Sequence, residues 1–129
     1  MIVHVLRFRF KDGTAAEDVA ACMEALKKVG QMDSVSFAAI GRYAGPAADE
    51  YTHSSAYALA DIDAFYRYMH EPVHREADFI VHPHVTNFDV FDISDEDNPD
   101  LSAEIANIQQ GRLAADRELA SLISARPED

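Results

Sequence analysis

Tryptophan is absent, and 129 residues hold one cysteine, Cys22. A lone cysteine makes no intramolecular disulfide and no CxxC metal knuckle, a usage that fits a reducing cytoplasm better than a secreted framework. Its only possible cysteine partner lies on another chain. Basic residues are scarce: 11 Lys+Arg against 23 Asp+Glu leave a formal charge of −12. That field repels phosphate backbones and anionic membrane surfaces, so neither nucleic acid nor membrane is an expected partner. No apolar run approaches the ~20 residues of a spanning helix. The opening Met1-Ile2-Val3-His4 has neither the cationic n-region nor the long h-region of a signal peptide. GxGxxG, P-loop, GxSxG and haem-attachment patterns are missing too, as are repeats and low-complexity tracts, so nothing points to a nucleotide or a serine nucleophile.

What is present suffices for one domain with a real core, since 48% of the chain is apolar. Residues 2–10 alternate, with Ile2, His4, Leu6, Phe8 and Phe10 on one parity and Val3, Val5, Arg7 and Arg9 on the other, which is a strand. After the turn Lys11-Asp12-Gly13, the spacing Thr14-Ala15-Ala16-Glu17 matches a capping box and predicts a helix. Its stripe is Val19, Cys22, Met23, Leu26 and Val29, and Gly30 is a reasonable stop. Val35 to Gly41 and Tyr51 to Leu59 read as strands. In the latter, Tyr51, His53, Ser55, Tyr57 and Leu59 alternate with Thr52, Ser54, Ala56 and Ala58, small residues that would let a helix lie close. Asp61 can cap a helix that Pro72 kinks or restarts, because proline lacks the N–H and clashes with the preceding turn. His82-Pro83-His84 should end that helix facing solvent, and Val85 to Ile93 is a fourth strand.

The order is βαββαβ, the ferredoxin-like α+β layout of an antiparallel sheet with both helices on one face. Both parities of the strands are rich in apolar groups, so the second face also needs cover. A homodimer closing into an α+β barrel is the economical solution; a ligand or a third layer is the alternative. Residues 1–97 form this domain, and 98–129 form a helical extension. Within it, Leu101, Ile105, Ile108, Leu119, Leu122 and Ile123 make one amphipathic helix weakened at Gly111, reached through the acidic linker 94–100. An apolar stripe of this length must dock, and the reach of the linker favours the partner subunit over its own domain.

His4 and His53 lie on the parity that carries large apolar groups, either as hydrogen-bonded core residues or as pocket residues. If β1 and β3 are the central pair, the two can be neighbours in one pocket. His70 and His74 have i, i+4 spacing, but Pro72 intervenes and no HExxH or carboxylate set completes a zinc site, so no metal is expected.

Two segments, Ile2-Val3-His4-Val5 through Phe8-Arg9-Phe10-Lys11-Asp12-Gly13 and Tyr68 to His74 with Pro72 inside, resemble the stress-responsive A/B-barrel (Dabb) family over residues 1 to about 93. That resemblance implies a dimeric ferredoxin-like barrel. The site positions are similar to those of the family's plant polyketide cyclase type, which forms olivetolic acid by aldol condensation without a cofactor. Its catalytic Tyr and His, six positions apart, correspond to Tyr68 and His74; its supporting aspartate, eighteen after the histidine, corresponds to Asp92. Its strand histidines correspond to His4 and His53, the latter following Tyr51-Thr52. The family's His-Pro is Glu71-Pro72 here, and a pocket tyrosine of the first helix is Leu26. The implied chemistry is a lyase or cyclase acting on a small apolar carbonyl compound. His74 takes a proton, Tyr68 donates to an enolate oxygen, Asp92 orients His74, and His4, His53 and Leu26 line the pocket. The alternative is a stress-responsive dimer that binds a small molecule without chemistry.

Overall fold

The computed structural model describes residues 1–126. Its elements are β1 (Ile2–Phe10), α1 (Ala16–Gly30), β2 (Phe37–Arg42), β3 (His53–Leu59), α2 (Ile62–His70), α3 (Pro72–Val81), β4 (Val85–Ser94), α4 (Leu101–Ala115) and α5 (Arg117–Ser124). The strands form one antiparallel sheet in the order β2-β3-β1-β4, the ferredoxin-like arrangement with β1 and β3 at its centre. The second helix of the fold is broken as Pro72 requires: Glu71 adopts extended geometry after α2, and Pro72 opens α3 at a position where its missing N–H costs nothing. Asp61 caps α2 by accepting from the Ala64 N–H at 2.9 Å.

Alternation in β1 is obeyed throughout, with Ile2, His4, Leu6, Phe8 and Phe10 buried beneath the helices. β4 cannot follow one parity. Arg7 pairs with Asp89 but Arg9 with Thr86, so β4 holds one extra residue, a bulge with Asn87 in the left-handed region at φ 41°. The bulge switches the inward parity from Val85 to Phe88, Val90 and Asp92. Phe91 and Ile93 therefore point outward, 45% and 57% exposed. They join Val3, Val5, Phe37, Ala39, Ala56 and Ala58 on the open face of the sheet.

Several expectations need correction. The small residues of β3 do not receive a helix: the helices cover Tyr57 and Leu59, because these sit opposite His4 and Ile2 on the face that α2 buries. The capping box at α1 does not form, since the Thr14 hydroxyl donates to the Lys11 carbonyl and Ala15 is the cap. Cys22 is 1% exposed with its Sγ against the Ile80 carbonyl, and burial pushes its thiol up to about 11, so this chain does not present it to a cysteine of another. The extension is two helices, not one weakened at Gly111. Its break is at Asp116, whose carboxylate accepts from the Leu119 N–H at 3.1 Å and from Arg75 Nε at 2.7 Å.

The extension docks on its own domain. Leu101 and Ile105 enter the same core as Phe65, Tyr68 and Met69, and Leu119 is fully buried. Arg75 holds Asp116 and Glu118, and Arg112 holds Asp78 at 2.6 Å. The last three residues of the extension lie outside the described residues. Ile105→Ala and Leu119→Ala should each cost about 2 to 4 kcal/mol in urea unfolding, as buried truncations do. Losses below about 0.5 kcal/mol in both would mean that α4 and α5 are not docked in solution.

Candidate active site

Between the sheet and the extension lies a cavity of about 290 Å³, near the lower limit for a small-molecule site. β1 contributes His4 and Leu6, and β4 contributes Phe88 and Val90. Met69, His74, Asp78 and His82 enter from α2, α3 and the 3-10 turn His82–His84. Gln109, Arg112, Leu113, Ile123 and Arg126 close it from the extension. Behind it is a chamber of about 20 Å³, room for about one water, which Leu26, Tyr57 and Tyr68 line. Leu6, His74, Asp78, His82 and Phe88 form the wall common to both. A wider groove of about 460 Å³ between β4 and α4 includes Asp92 but no histidine.

Two imidazoles are fixed by their partners. His4 Nδ1 donates to the Asp92 carboxylate at 2.7 Å, which fixes the ring and, in the neutral imidazole, makes Nε2 the lone-pair nitrogen, without a protein partner among the described residues. Both residues share a face because His4 and Asp92 are cross-strand partners, a register that the bulge in β4 sets. His74 Nδ1 donates to the Tyr68 carbonyl at 3.0 Å across the Pro72 break. Without that break, the Tyr68 carbonyl would be taken by the helix ladder. Asp92 thus supports His4, and the expected Asp92–His74 pair is not formed. The carboxylate nearest His74 is Asp78, 3.8 Å from Nε2, which is too long for a hydrogen bond.

Burial governs the charges. It lowers His74 to about 4, so the imidazole is neutral at physiological pH. Burial pushes the Asp78 carboxyl up, but the His82 ring at 3.2 Å and the neighbouring His74 and Arg112 outweigh that and bring it down to about 2. With His74 neutral near pH 7, the His82 ring and the Arg112 guanidinium are what hold Asp78 ionised there. Burial also holds the Tyr68 phenol protonated, far above its ordinary value.

The remaining expected residues are distributed unevenly. Tyr68 is buried, its ring 4.5 Å from that of His74, and it lines the inner chamber, not the cavity. Leu26 lines the chamber as well. His53 lines neither: it pairs with Phe8, four residues along β1 from His4, or about 13 Å at 3.3 Å per residue. It packs against Phe8 and Phe10, bonds the Thr52 hydroxyl at 2.9 Å, and is held below its ordinary value by burial and Arg42. The expected shared pocket for His4 and His53 therefore does not exist. His82 is buried rather than solvent-facing, drawn inward by Asp78, with its Nδ1 unpartnered. Asp78, His82 and Arg112 went unrecognised in the sequence; the i, i+4 spacing of His74, Asp78 and His82 was the available signal. Among the described residues, no three His, Cys, Asp or Glu side chains are grouped to hold a metal ion.

These features define a ferredoxin-like domain with a histidine- and carboxylate-lined cavity between sheet and helices. The chain belongs to the Stress responsive A/B Barrel Domain (Dabb) family, whose sequence profile matches residues 2–95. The helices α4 and α5 lie beyond that match. No curated protein matches the chain in sequence. A dimeric ferredoxin-like protein of unknown function from Thermobifida fusca is 26% identical, with a TM-score of 0.64 over 72% of this chain and 89% of that one. The hydroxynitrile lyase of Passiflora edulis is 15% identical, with a TM-score of 0.65 over 75% of this chain and 94% of that one. SnoaB, a cofactor-independent oxygenase from Streptomyces nogalater, is also 15% identical, with a TM-score of 0.57 over 76% and 95%. With the last two, the likeness is one of fold.

The His74 shift makes stability pH-dependent. As pH falls from 6.5 towards 4, the unfolded chain takes up a proton that folded His74 refuses, so stability present above 6.5 is lost through that window. The loss at pH 4 approaches roughly 3 kcal/mol. Urea unfolding at pH 7 and pH 5 should differ by about 2 kcal/mol more in the wild type than in His74→Gln. Equal differences in the two proteins would show that His74 is not buried neutral.

Proposed function

We propose that this chain is a cofactor-independent acid–base catalyst of the lyase or cyclase kind, acting on a small, largely apolar carbonyl compound. The observation that carries the reading is the cavity that His4, backed by Asp92, and neutral His74 both line. A carboxylate behind an imidazole stabilises the positive charge that develops as the other nitrogen takes a proton. His4 is accordingly the base, accepting a proton at Nε2 from the carbon or hydroxyl next to the carbonyl. Arg112 commits one Nη to Asp78 and has other N–H groups to stabilise a developing oxyanion. His74, with Nδ1 tied to Tyr68, presents only a lone pair and holds the substrate hydroxyl or a water. Tyr68 acts by positioning His74, because its own ring borders the chamber behind the cavity.

Proton abstraction next to a carbonyl has a direct readout. Small ketones incubated with the protein in deuterium oxide should exchange their α-hydrogens, followed by proton NMR. His4→Ala and Asp92→Asn should slow that exchange about a hundredfold or more while circular dichroism stays native. Exchange that survives His4→Ala would remove the base assignment. Binding without exchange by any probe would favour the second reading, a small-molecule carrier without chemistry, to which the one-water chamber at Tyr68 lends support.

The same proposal includes a homodimer, closed through the open face of the sheet where Phe37, Phe91 and Ile93 are exposed. Light scattering should give about twice the 14.3 kDa chain mass, and the double variant Phe91→Asp/Ile93→Asp should halve it. A wild-type monomer at micromolar concentration would end this part.

A further inference from the structure

Five arginines among the described residues are partly buried: Arg7, Arg9, Arg75, Arg112 and Arg126. Four hold a carboxylate: Arg7 has Asp89, Arg9 has Asp12, Arg75 has Asp116 and Glu118, and Arg112 has Asp78. Arg126 has none among the described residues. In a chain with 23 acidic residues and 11 basic ones, an arginine drawn out of water without an acidic partner stands apart. Its guanidinium lies 4.8 Å over the Phe88 ring, and both residues line the cavity. Desolvation lowers its pKa with nothing to compensate. The backbone holds it there, since the Arg126 N–H donates to the Ile123 carbonyl just past the end of α5.

We propose that the extension makes the cavity selective for small carboxylates, with Arg126 as the group that docks the carboxylate. A guanidinium stacked on an aromatic ring is a pre-oriented planar fork, and a carboxylate matches it with two parallel hydrogen bonds. The rest of the cavity supplies what such a ligand needs. Leu6, Val90, Leu113 and Ile123 provide an apolar middle, His4 is the base of the proposed function, and His74 is a hydrogen-bond acceptor. Arg112 and Asp78 neutralise each other, and Arg126 adds to the lining a guanidinium that no carboxylate among the described residues pairs. The ligand class is a small carboxylic acid with a short apolar spacer, and in the catalytic reading that spacer bears the carbonyl. The inference concerns the same cavity as the proposed function, but its test reads binding alone.

The probes are 3-phenylpropanoate and its neutral isostere 3-phenylpropanamide, titrated calorimetrically into the full chain at pH 7. The carboxylate should bind about tenfold or more tightly than the amide. Arg126→Gln should abolish that preference, and Arg117→Gln, at an exposed position of α5, should leave it unchanged. Added salt should weaken the carboxylate and not the amide. Equal affinities for the two probes, binding of neither, or a preference that survives Arg126→Gln in a protein with native melting temperature would overturn the assignment. A preference without any α-hydrogen exchange would leave it standing and remove the catalytic reading instead.

Discussion

A buried carboxylate has to be met by a cation or by hydrogen-bond donors, and Asp78 imposes that requirement where the domain and its extension join. Arg112 meets it from α4 at 2.6 Å, and His82 approaches from the turn after α3 at 3.2 Å. Removing one member of such a pair costs several kcal/mol, because the other charge is left stranded. Much of the site depends on this junction. It ties α4 to α3, turns His82 inward, and borders His74, which burial keeps neutral despite the nearby carboxylate.

The second organising feature is the bulge in β4. One extra residue at Asn87 lets Val85 and Asp92 face inward on the same strand, although their sequence separation is odd. The carboxylate thereby comes to rest behind His4, and Phe91 and Ile93 are turned to the opposite face. A single backbone irregularity thus both assembles the His4–Asp92 pair and exposes the apolar surface on which the proposed dimer rests. Bulges next to functional groups do this elsewhere, since re-aiming alternate side chains is their main mechanical effect.

The extension lies beyond the residues that match the Dabb family, yet it supplies five of the residues around the cavity, including both arginines. The scaffold of sheet and α1–α3 brings the histidines and the carboxylates. Volume and charge on the open side come from α4 and α5. Chemistry held by the scaffold and selectivity held by the addition are separable, because a fold-level likeness says nothing about residues outside it.

The sequence alone determined the local features: four strands, two of them (residues 2–10 and 51–59) by period 2, α1 by its stripe, and the break at Pro72, while the resemblance to a family added the candidacy of Tyr68, His74 and Asp92 beside His4. These are legible because alternation, helical spacing and proline geometry act over a few residues. It also signalled an apolar helical extension that must dock. Only the tertiary structure decided which histidine receives Asp92, because a one-residue bulge moves every later side chain to the other face without altering the apolar pattern. The same is true of His53, which β3 pairs with Phe8, four residues along β1 from His4, and of the docking of α4 and α5 on their own domain. Each turns on register or on one long-range charge pair, such as Arg112 with Asp78, whose partners are 34 residues apart and carry no local pattern that joins them.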